Sequence, residues 1–246
     1  MKKPEVLAPA GNLEKLKFAV DFGADAVYLG GKVFNLRAKA GNFTLEEMAE
    51  GIEYAHRKGR KVYVTLNAFA RNKDFKQLEA FVKEVKELKP DAFIVSDLGV
   101  LATLKEIAPE IDIHISTQAN VTNYRAVKVF KELGASRVVV ARELSVEEIK
   151  EIKEKVPDVE VEVFVHGAMC MAYSGRCLLS NYLSYRNSNQ GACSQSCRWR
   201  YYLVEEKRPG EFIPIEEMED IPDERSFEDE ILREEVEGIV YEAMEE

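Results

Sequence analysis

The chain has 246 residues and a formal net charge of -10, and 46% of its residues are hydrophobic. That hydrophobic content can build a core and excludes a wholly disordered chain. No run approaches the roughly 18 consecutive apolar residues of a membrane-spanning helix, and the start MKKPEVLAPAG turns polar too early for a secretory signal. We therefore expect a folded, cytoplasmic protein.

The negative charge is concentrated at one end of the chain. Residues 211–246 hold 16 acidic and 2 basic residues, whereas residues 1–210 carry a net charge of +4. The body of the chain is thus compatible with a polyanionic partner such as nucleic acid, despite the overall charge.

Short β-branched runs alternate with amphipathic segments along most of the chain, which predicts successive βα units. The runs are nearly continuous in apolar residues, as is typical of parallel strands buried on both faces. Thr44 and Ser145 are favourable helix N-caps, and Gly23, Gly59 and Gly134 stand where helices should end. The predicted strands are residues 5–11, 26–31, 61–67, 92–97, 112–119, 137–143 and 161–167.

Seven βα units in series favour an α/β fold of the TIM type, a (β/α) barrel, over a doubly wound sheet. The first βα turn reads PAGNLEKL and lacks the glycine fingerprint of a dinucleotide-binding sheet. The eighth strand is missing or unidentified, because only YYLVEE and EFIPIEE resemble strands after the seventh unit. We predict a barrel domain over residues 1–217, which includes a cysteine-rich segment at 168–202 after the seventh strand.

The remaining residues, 218–246, are predicted to form an acidic tail. Its apolar residues recur at helical spacing behind Ser226, which predicts a helix from about 227 to 244.

Polar side chains gather where the predicted strands end, which is where βα barrels place their chemistry. Asp97 ends the fourth strand, His114 and Gln118 lie in the fifth, and His166 lies at the end of the seventh. Each one alone could be a solvated or hydrogen-bonded structural residue. Their shared position makes them candidate catalytic residues.

All four cysteines fall in one window with the spacing C-x6-C-x15-C-x3-C: Cys170, Cys177, Cys193 and Cys197. Two disulfides would be unusual in a reducing compartment, whereas four thiolates suit a structural zinc or an iron-sulfur cluster. Zinc ribbons usually carry paired C-x2-C knuckles, which are absent from this sequence. The spacing therefore favours a 4Fe-4S cluster, with zinc as the alternative.

The same segment is rich in arginine and aromatic residues, among them Arg186, Arg198, Trp199 and Arg200. Interleaved guanidinium groups and rings can contact phosphates and stack on unpaired bases, which suggests an RNA surface. The alternative is that the rings pack the loop onto the barrel and the arginines face water. Arginine is also the usual clamp for a small carboxylate.

Residues 162–180, EVFVHGAMCMAYSGRCLLS, resemble the signature of the collagenase-like peptidases, peptidase family U32. Further similarity lies in LAPAGN, FNLRAKAGNF, STQANVTN and NQGACSQSCRW, and the last is similar to the transfer-RNA hydroxylation branch of the family. The resemblance covers residues 4 to about 217.

The resemblance implies a barrel with a cysteine-ligated iron-sulfur cluster that takes part in 5-hydroxylation of a tRNA wobble uridine, with prephenate as a partner metabolite. It implies that Cys170, Cys177, Cys193 and Cys197 ligate the cluster and that Arg37, His166 and Arg176 line it. Proteolysis is one alternative, although the sequence offers no HExxH motif and no complete catalytic triad. A non-catalytic RNA-binding subunit with a structural metal is the other.

Overall fold

The computed structural model describes residues 3–34, 41–167, 169–214 and 241–245. The chain divides into two units, Met1–Cys197 and Arg198–Glu246. The division falls before the boundary at 217 that the sequence suggested, because the strands after Tyr201 pair with one another. In the part of the chain that the structure describes, no helix is long and apolar enough to cross a membrane.

The first unit is built on seven parallel strands that pair in chain order from β1 to β7. All seven predicted strands are confirmed, with shorter bounds. The strands are β1 (Leu7–Pro9), β2 (Ala26–Gly30), β3 (Lys61–Leu66), β4 (Ala92–Val95), β5 (Asp112–Ile115), β6 (Arg137–Val139) and β7 (Glu160–Glu162).

Helices connect these strands. They are α1 (Leu13–Asp21), α2 (Leu45–Arg57), α3 (Phe75–Lys86), α4 (Leu98–Ile107), α5 (Tyr124–Glu132) and α6 (Val146–Lys155). The two predicted N-caps, Thr44 and Ser145, both form capping boxes that begin α2 and α6. Gly23, Gly59 and Gly134 follow helices with φ of +100°, +67° and +96°, which confirms them as helix ends.

The core lies between the outer face of the sheet and the helices. Val64, Phe93 and Val138 on the strands pack with helix residues such as Leu78 and Leu104, and all five are fully buried. Burial of this apolar face is the main source of stability for the unit.

The sheet curls but does not close into a barrel. Glu5, just before β1, accepts hydrogen bonds across the interior from Tyr63 on β3 and from Arg137 on β6, at 2.7 Å each. β1 and β7 are the two ends of the strand order. An eighth parallel strand is not among the described residues.

The second unit is a three-stranded antiparallel sheet. Its strands are β8 (Tyr201–Arg208), β9 (Glu211–Pro214) and β10 (Tyr241–Glu245), in the order β10-β8-β9. Of the two strand-like stretches recognised in the sequence, YYLVEE lies in β8 and the first four residues of EFIPIEE form β9, whereas its last three lie outside the described residues.

The predicted terminal helix differs from the structure where the two can be compared. Residues 227–240 lie outside the described residues, whereas Tyr241–Glu245 is a strand and not the end of a helix. It pairs with β8, whose sequence lies more than 30 residues away. Such long-range backbone pairing overrides a local helical pattern.

Candidate active site

The cysteine-rich segment follows β7 as a series of short turns. It contains single 3₁₀ turns at Tyr173–Gly175, Ser188–Gln190 and Ser196–Arg198, and one short helix, α7 (Leu179–Ser184). We call residues 173–176 the Ser174 turn. This turn lies between Cys170 and Cys177 in the sequence and directly precedes Cys177.

Glu143, four residues after β6, holds the Ser174 turn. Its carboxylate accepts hydrogen bonds from the Ser174 backbone N–H and from the Ser174 hydroxyl, both at 2.6 Å. Partial burial opposes ionisation of Glu143, but the two hydrogen bonds outweigh it and lower the pKa of this carboxyl. Glu143 is therefore a charged, doubly bonded anchor at the carboxyl end of the sheet.

The loop after β5 provides a second anchor for the same turn. Asn120 donates its side-chain amide to the carbonyl of Tyr173 at 2.8 Å, and the Arg176 Nε donates to the carbonyl of Gln118 at 2.9 Å. Gly175 has φ +84°, and a Cβ there would lie 2.3 Å from the Gln118 Nε2. The positive φ favours glycine at this position, and a larger residue would also have to displace the Gln118 side-chain amide.

Cys177 is held by an asparagine and a serine from the same segment. The Asn189 side chain accepts from the Cys177 N–H at 3.2 Å and donates to the Cys177 carbonyl at 3.1 Å. The Ser188 hydroxyl donates to the same carbonyl. The backbone of Cys177 is thus fixed on both sides.

The four cysteines are free thiols, and no disulfide links them. Cys170 and Cys193 are exposed, whereas Cys177 and Cys197 are half-buried. The Sγ of Cys177 accepts the Leu179 N–H, and the Sγ of Cys193 accepts the Gln195 N–H, both at 3.3 Å. The thiolate is the form in which cysteine binds a metal.

The donor set therefore fits a cysteine-ligated metal centre by its chemistry. Among the described residues, however, no three His, Cys, Asp or Glu side chains are gathered closely enough to hold a metal ion. The cluster and its ligands stay a prediction.

An open cavity of about 670 Å³ lies beside this segment, and we call it the mouth cavity. Residues that follow β3 and β4, such as Phe69, Arg71 and Asp97, form one wall. Arg176, Leu178 and Asn181 from the cysteine-rich segment form part of the other. Sites at the carboxyl ends of parallel strands are where α/β enzymes bind their substrates.

The structure gives the candidate residues on the strands different surroundings. Asp97 is the N-cap of α4, and its Oδ1 accepts from the N–H groups of Gly99 at 2.7 Å and Val100 at 3.2 Å. Gln118 lies in the turn after β5, beside the Ser174 turn, and its buried Oε1 has no partner among the described residues. Both are at the carboxyl ends of strands, as predicted.

His114 lies in the interior of the curled sheet and not among the mouth residues. It is 3% exposed, and its ring meets the Tyr63 ring edge-on with centroids 4.6 Å apart. Burial, and then the positive charge of Arg137, lower the pKa of His114 to about 3. His114 is neutral at physiological pH and is placed as a core residue.

The other predicted residues are spread over the segment. His166 is exposed just after β7, and Arg186 is half-buried next to α7. Arg198, Trp199 and Arg200 begin the second unit. Arg37 lies outside the described residues.

Three residues that hold the site were missed as candidates: Asn120, Ser174 and Asn189. Asn120 and Asn189 bind backbone groups, and Ser174 binds the Glu143 carboxylate. None of the three carries a charge, so composition offers little signal for them. The only hint is position, since Asn120 lies in STQANVTN and Asn189 in NQGAC, two of the stretches that carried the family resemblance.

Comparison with known proteins settles the family. The model for peptidase family U32 matches residues 11–235. The chain belongs to peptidase family U32. Over 204 residues it is 53% identical to the tRNA hydroxylation protein P1 of Bacillus subtilis, a match that covers 83% of this chain and 48% of that protein. It is 46% identical to the tRNA hydroxylation protein P of Escherichia coli over 90% of this chain and 49% of that protein.

More distant relatives carry other names. The 23S rRNA 5-hydroxycytidine C2501 synthase of Escherichia coli is 36% identical over 82% of this chain and 30% of that protein. A collagenase of Porphyromonas gingivalis is 35% identical over 86% of this chain and 53% of that protein. This U32 chain spans about half the length of these tRNA hydroxylation proteins.

A solved structure supports the fold. The U32 peptidase Mk0906 superposes with a TM-score of 0.53 at 20% identity, over 65% of this chain and 68% of that one. At this identity the likeness concerns the fold alone.

Proposed function

We propose that this U32 chain takes part in the hydroxylation of a base in transfer RNA. The observation that carries the proposal is the 53% identity to a tRNA hydroxylation protein over a region that includes the whole cysteine-rich segment. The family resemblance extends this to 5-hydroxylation of the wobble uridine, with prephenate as the metabolite partner. RNA would be contacted by Arg186, Arg198, Trp199 and Arg200.

We propose further that Cys170, Cys177, Cys193 and Cys197 hold an iron-sulfur cluster. Such a cluster would supply electron transfer, which amino-acid side chains cannot provide. The chain's own contribution is to hold the cysteine-rich segment at the carboxyl end of the sheet. Glu143, Asn120 and Asn189 support this role through the hydrogen bonds that they make to it.

Proteolysis finds less support in the structure. His114 and the nearby Ser116 do not form a nucleophile–base pair among the described residues: the His114 Nδ1 has no partner there, and the Ser116 hydroxyl accepts from the Gln118 N–H. A nucleophile needs a base within hydrogen-bond reach. Hydroxylation of RNA is therefore the function we favour.

Anaerobic purification followed by iron, sulfide and zinc analysis tests the cluster. We expect several irons and sulfides per chain, with their loss in Cys177→Ser. Met171→Ser is the matched control, since it removes an exposed sulfur next to Cys170 and should leave the iron content unchanged. Stoichiometric zinc without sulfide would show that the cysteines hold a structural zinc and not an iron-sulfur cluster. Salt-sensitive tRNA binding without any modified base would favour the RNA-binding subunit.

A further inference from the structure

The mouth cavity is lined by polar and aromatic side chains, and none of the four cysteines is among them. Its volume of about 670 Å³ lies within the range of roughly 300–1,000 Å³ that is typical of ligand pockets. Its walls carry two arginines, several amide side chains and one phenylalanine ring. All of them belong to the first unit, and Arg176 and Leu178 flank Cys177.

A planar surface in the cavity is held in place from several directions. The Arg176 guanidinium lies over the Phe69 ring, 5.5 Å from its centroid. The Phe69 N–H donates to the Asn189 carbonyl at 3.0 Å, and Gln190 Nε2 donates to the Phe69 carbonyl at 3.2 Å. Since Arg176 is also bonded to Gln118, both planar groups are fixed before any ligand arrives. Preformed planar surfaces of this kind favour stacking of a planar ligand.

The remaining polar groups suit a nucleotide. The Asn181 side chain is exposed at the cavity and makes no hydrogen bond to another described residue, so its amide can both donate to and accept from a base edge. Arg71 is exposed on the opposite wall and can pair with a phosphate. The Asp97 carboxylate on that wall accepts two N–H groups at the start of α4, which partly offset its charge.

We infer that the mouth cavity binds one unpaired nucleotide of an RNA, with its base at Phe69, Arg176 and Asn181 and its phosphate at Arg71. The inference rests on the proposed function and names the part of the chain that receives the target nucleotide. A polynucleotide can enter because the cavity is open to solvent. The base then lies next to the backbone of Cys177, which Asn189 fixes.

Binding of uridine 5′-monophosphate to the full chain, measured by calorimetry, tests this inference. We expect saturable binding that is at least tenfold weaker for ribose 5-phosphate, because the base supplies the stacking. Arg71→Ala and Asn181→Ala should each weaken binding of the nucleotide about tenfold. Arg57→Ala, which removes the same charge from an exposed site on α2, should leave it unchanged.

Three results would overturn the assignment: no saturable binding, equal binding of ribose 5-phosphate, or unchanged affinity in both cavity variants. Both variants change exposed side chains, and their melting temperatures check that they fold. If both variants hydroxylate tRNA at the wild-type rate, the cavity has no part in the reaction, and the proposed function is unaffected. Wild-type chain that binds the nucleotide as expected but never modifies tRNA would support the cavity and count against the proposed function.

Discussion

His114 illustrates how one buried side chain can look functional and serve the core. A histidine near the end of a barrel strand suggests acid-base catalysis, yet its pKa is lowered to about 3 by burial, with help from Arg137. An imidazole that stays neutral far below neutral pH cannot donate a proton there. The titration of His114 instead affects folding.

The pKa of His114 predicts acid sensitivity. Between pH 6.5 and 3 the unfolded chain binds a proton at this histidine and the folded chain does not, so stability is lost as the pH falls through this range. The slope from this one group approaches about 1.4 kcal/mol per pH unit. His114→Phe keeps the ring contact with Tyr63 and removes the titration. We expect the free energy of unfolding of this variant to depend less steeply on pH between 6.5 and 4.

The comparison isolates His114 because the neighbouring acids are present in both proteins. Glu162 acts in the opposite sense, since burial raises its pKa. Urea unfolding at several pH values gives the two curves. Parallel curves would show that His114 takes up its proton at the same pH in the folded and the unfolded chain, so that its pKa is not lowered by folding.

Glu143 is a second single residue with a testable role, because its carboxylate holds the Ser174 turn of the cysteine-rich segment. Hydrogen bonds to a charged group contribute about 1.5–3 kcal/mol, and the Ser174 turn makes two of them with this carboxylate. Loss of one such bond corresponds to roughly tenfold more frequent opening of the turn. Glu143→Ala should therefore speed alkylation of the half-buried Cys177 about tenfold, and Glu143→Gln less, since its amide oxygen still accepts.

Mass spectrometry of iodoacetamide-treated protein measures these rates. Cys193 is an internal reference, because its contacts with Ser180 and Gln195 do not involve the Ser174 turn. Glu147→Gln on α6 is the matched control, an exposed glutamate in the following helix. Equal rates at Cys177 in Glu143→Ala and in the control would mean that the turn is held by other contacts.

At the scale of elements, the sequence predicted the features that depend on interactions between residues close together in the chain. The strands of the curled sheet, the caps Thr44 and Ser145, and the helix ends at Gly23 and Gly59 follow from side-chain branching, capping and the freedom of glycine. These signals act within a few residues of chain. The prediction therefore gave the order and kind of the seven βα units.

Features that depend on distant pairing were not predicted. Tyr241–Glu245 is a strand because it pairs with β8, and the anchors of the cysteine-rich segment join residues 31 to 58 positions apart. His114 follows the same rule, since its surroundings come from Tyr63 on β3 and Arg137 on β6. Sequence located the candidate segment, whereas its supporting residues became visible only in the fold.

At the scale of the first unit, one arginine links the two ends of the open sheet. Arg137, whose side chain is only 8% exposed, donates to Glu5 before β1 at 2.7 Å and to Glu160 on β7 at 2.8 Å. It also lies 3.3 Å from Glu162. Glu5 and Arg137 are 132 positions apart in the chain. Burial opposes ionisation of Glu5, but its hydrogen bonds with Arg137 and Tyr63 lower its pKa.

Removing Arg137 should therefore destabilise the unit strongly. Arg137→Leu leaves the partly buried Glu5 and Glu162 without their counter-charge, and breaking a buried ion pair in this way costs about 3–5 kcal/mol. Lys131→Ala is the control, because its pair with Asp158 is exposed and exposed pairs contribute little to stability. Urea unfolding of both variants at pH 7 measures the difference. Similar losses of stability in the two variants would show that the apolar core alone holds the ends of the open sheet together. A loss confined to Arg137→Leu would show that this ionic link holds the curl of the sheet, which has no closing strand among the described residues.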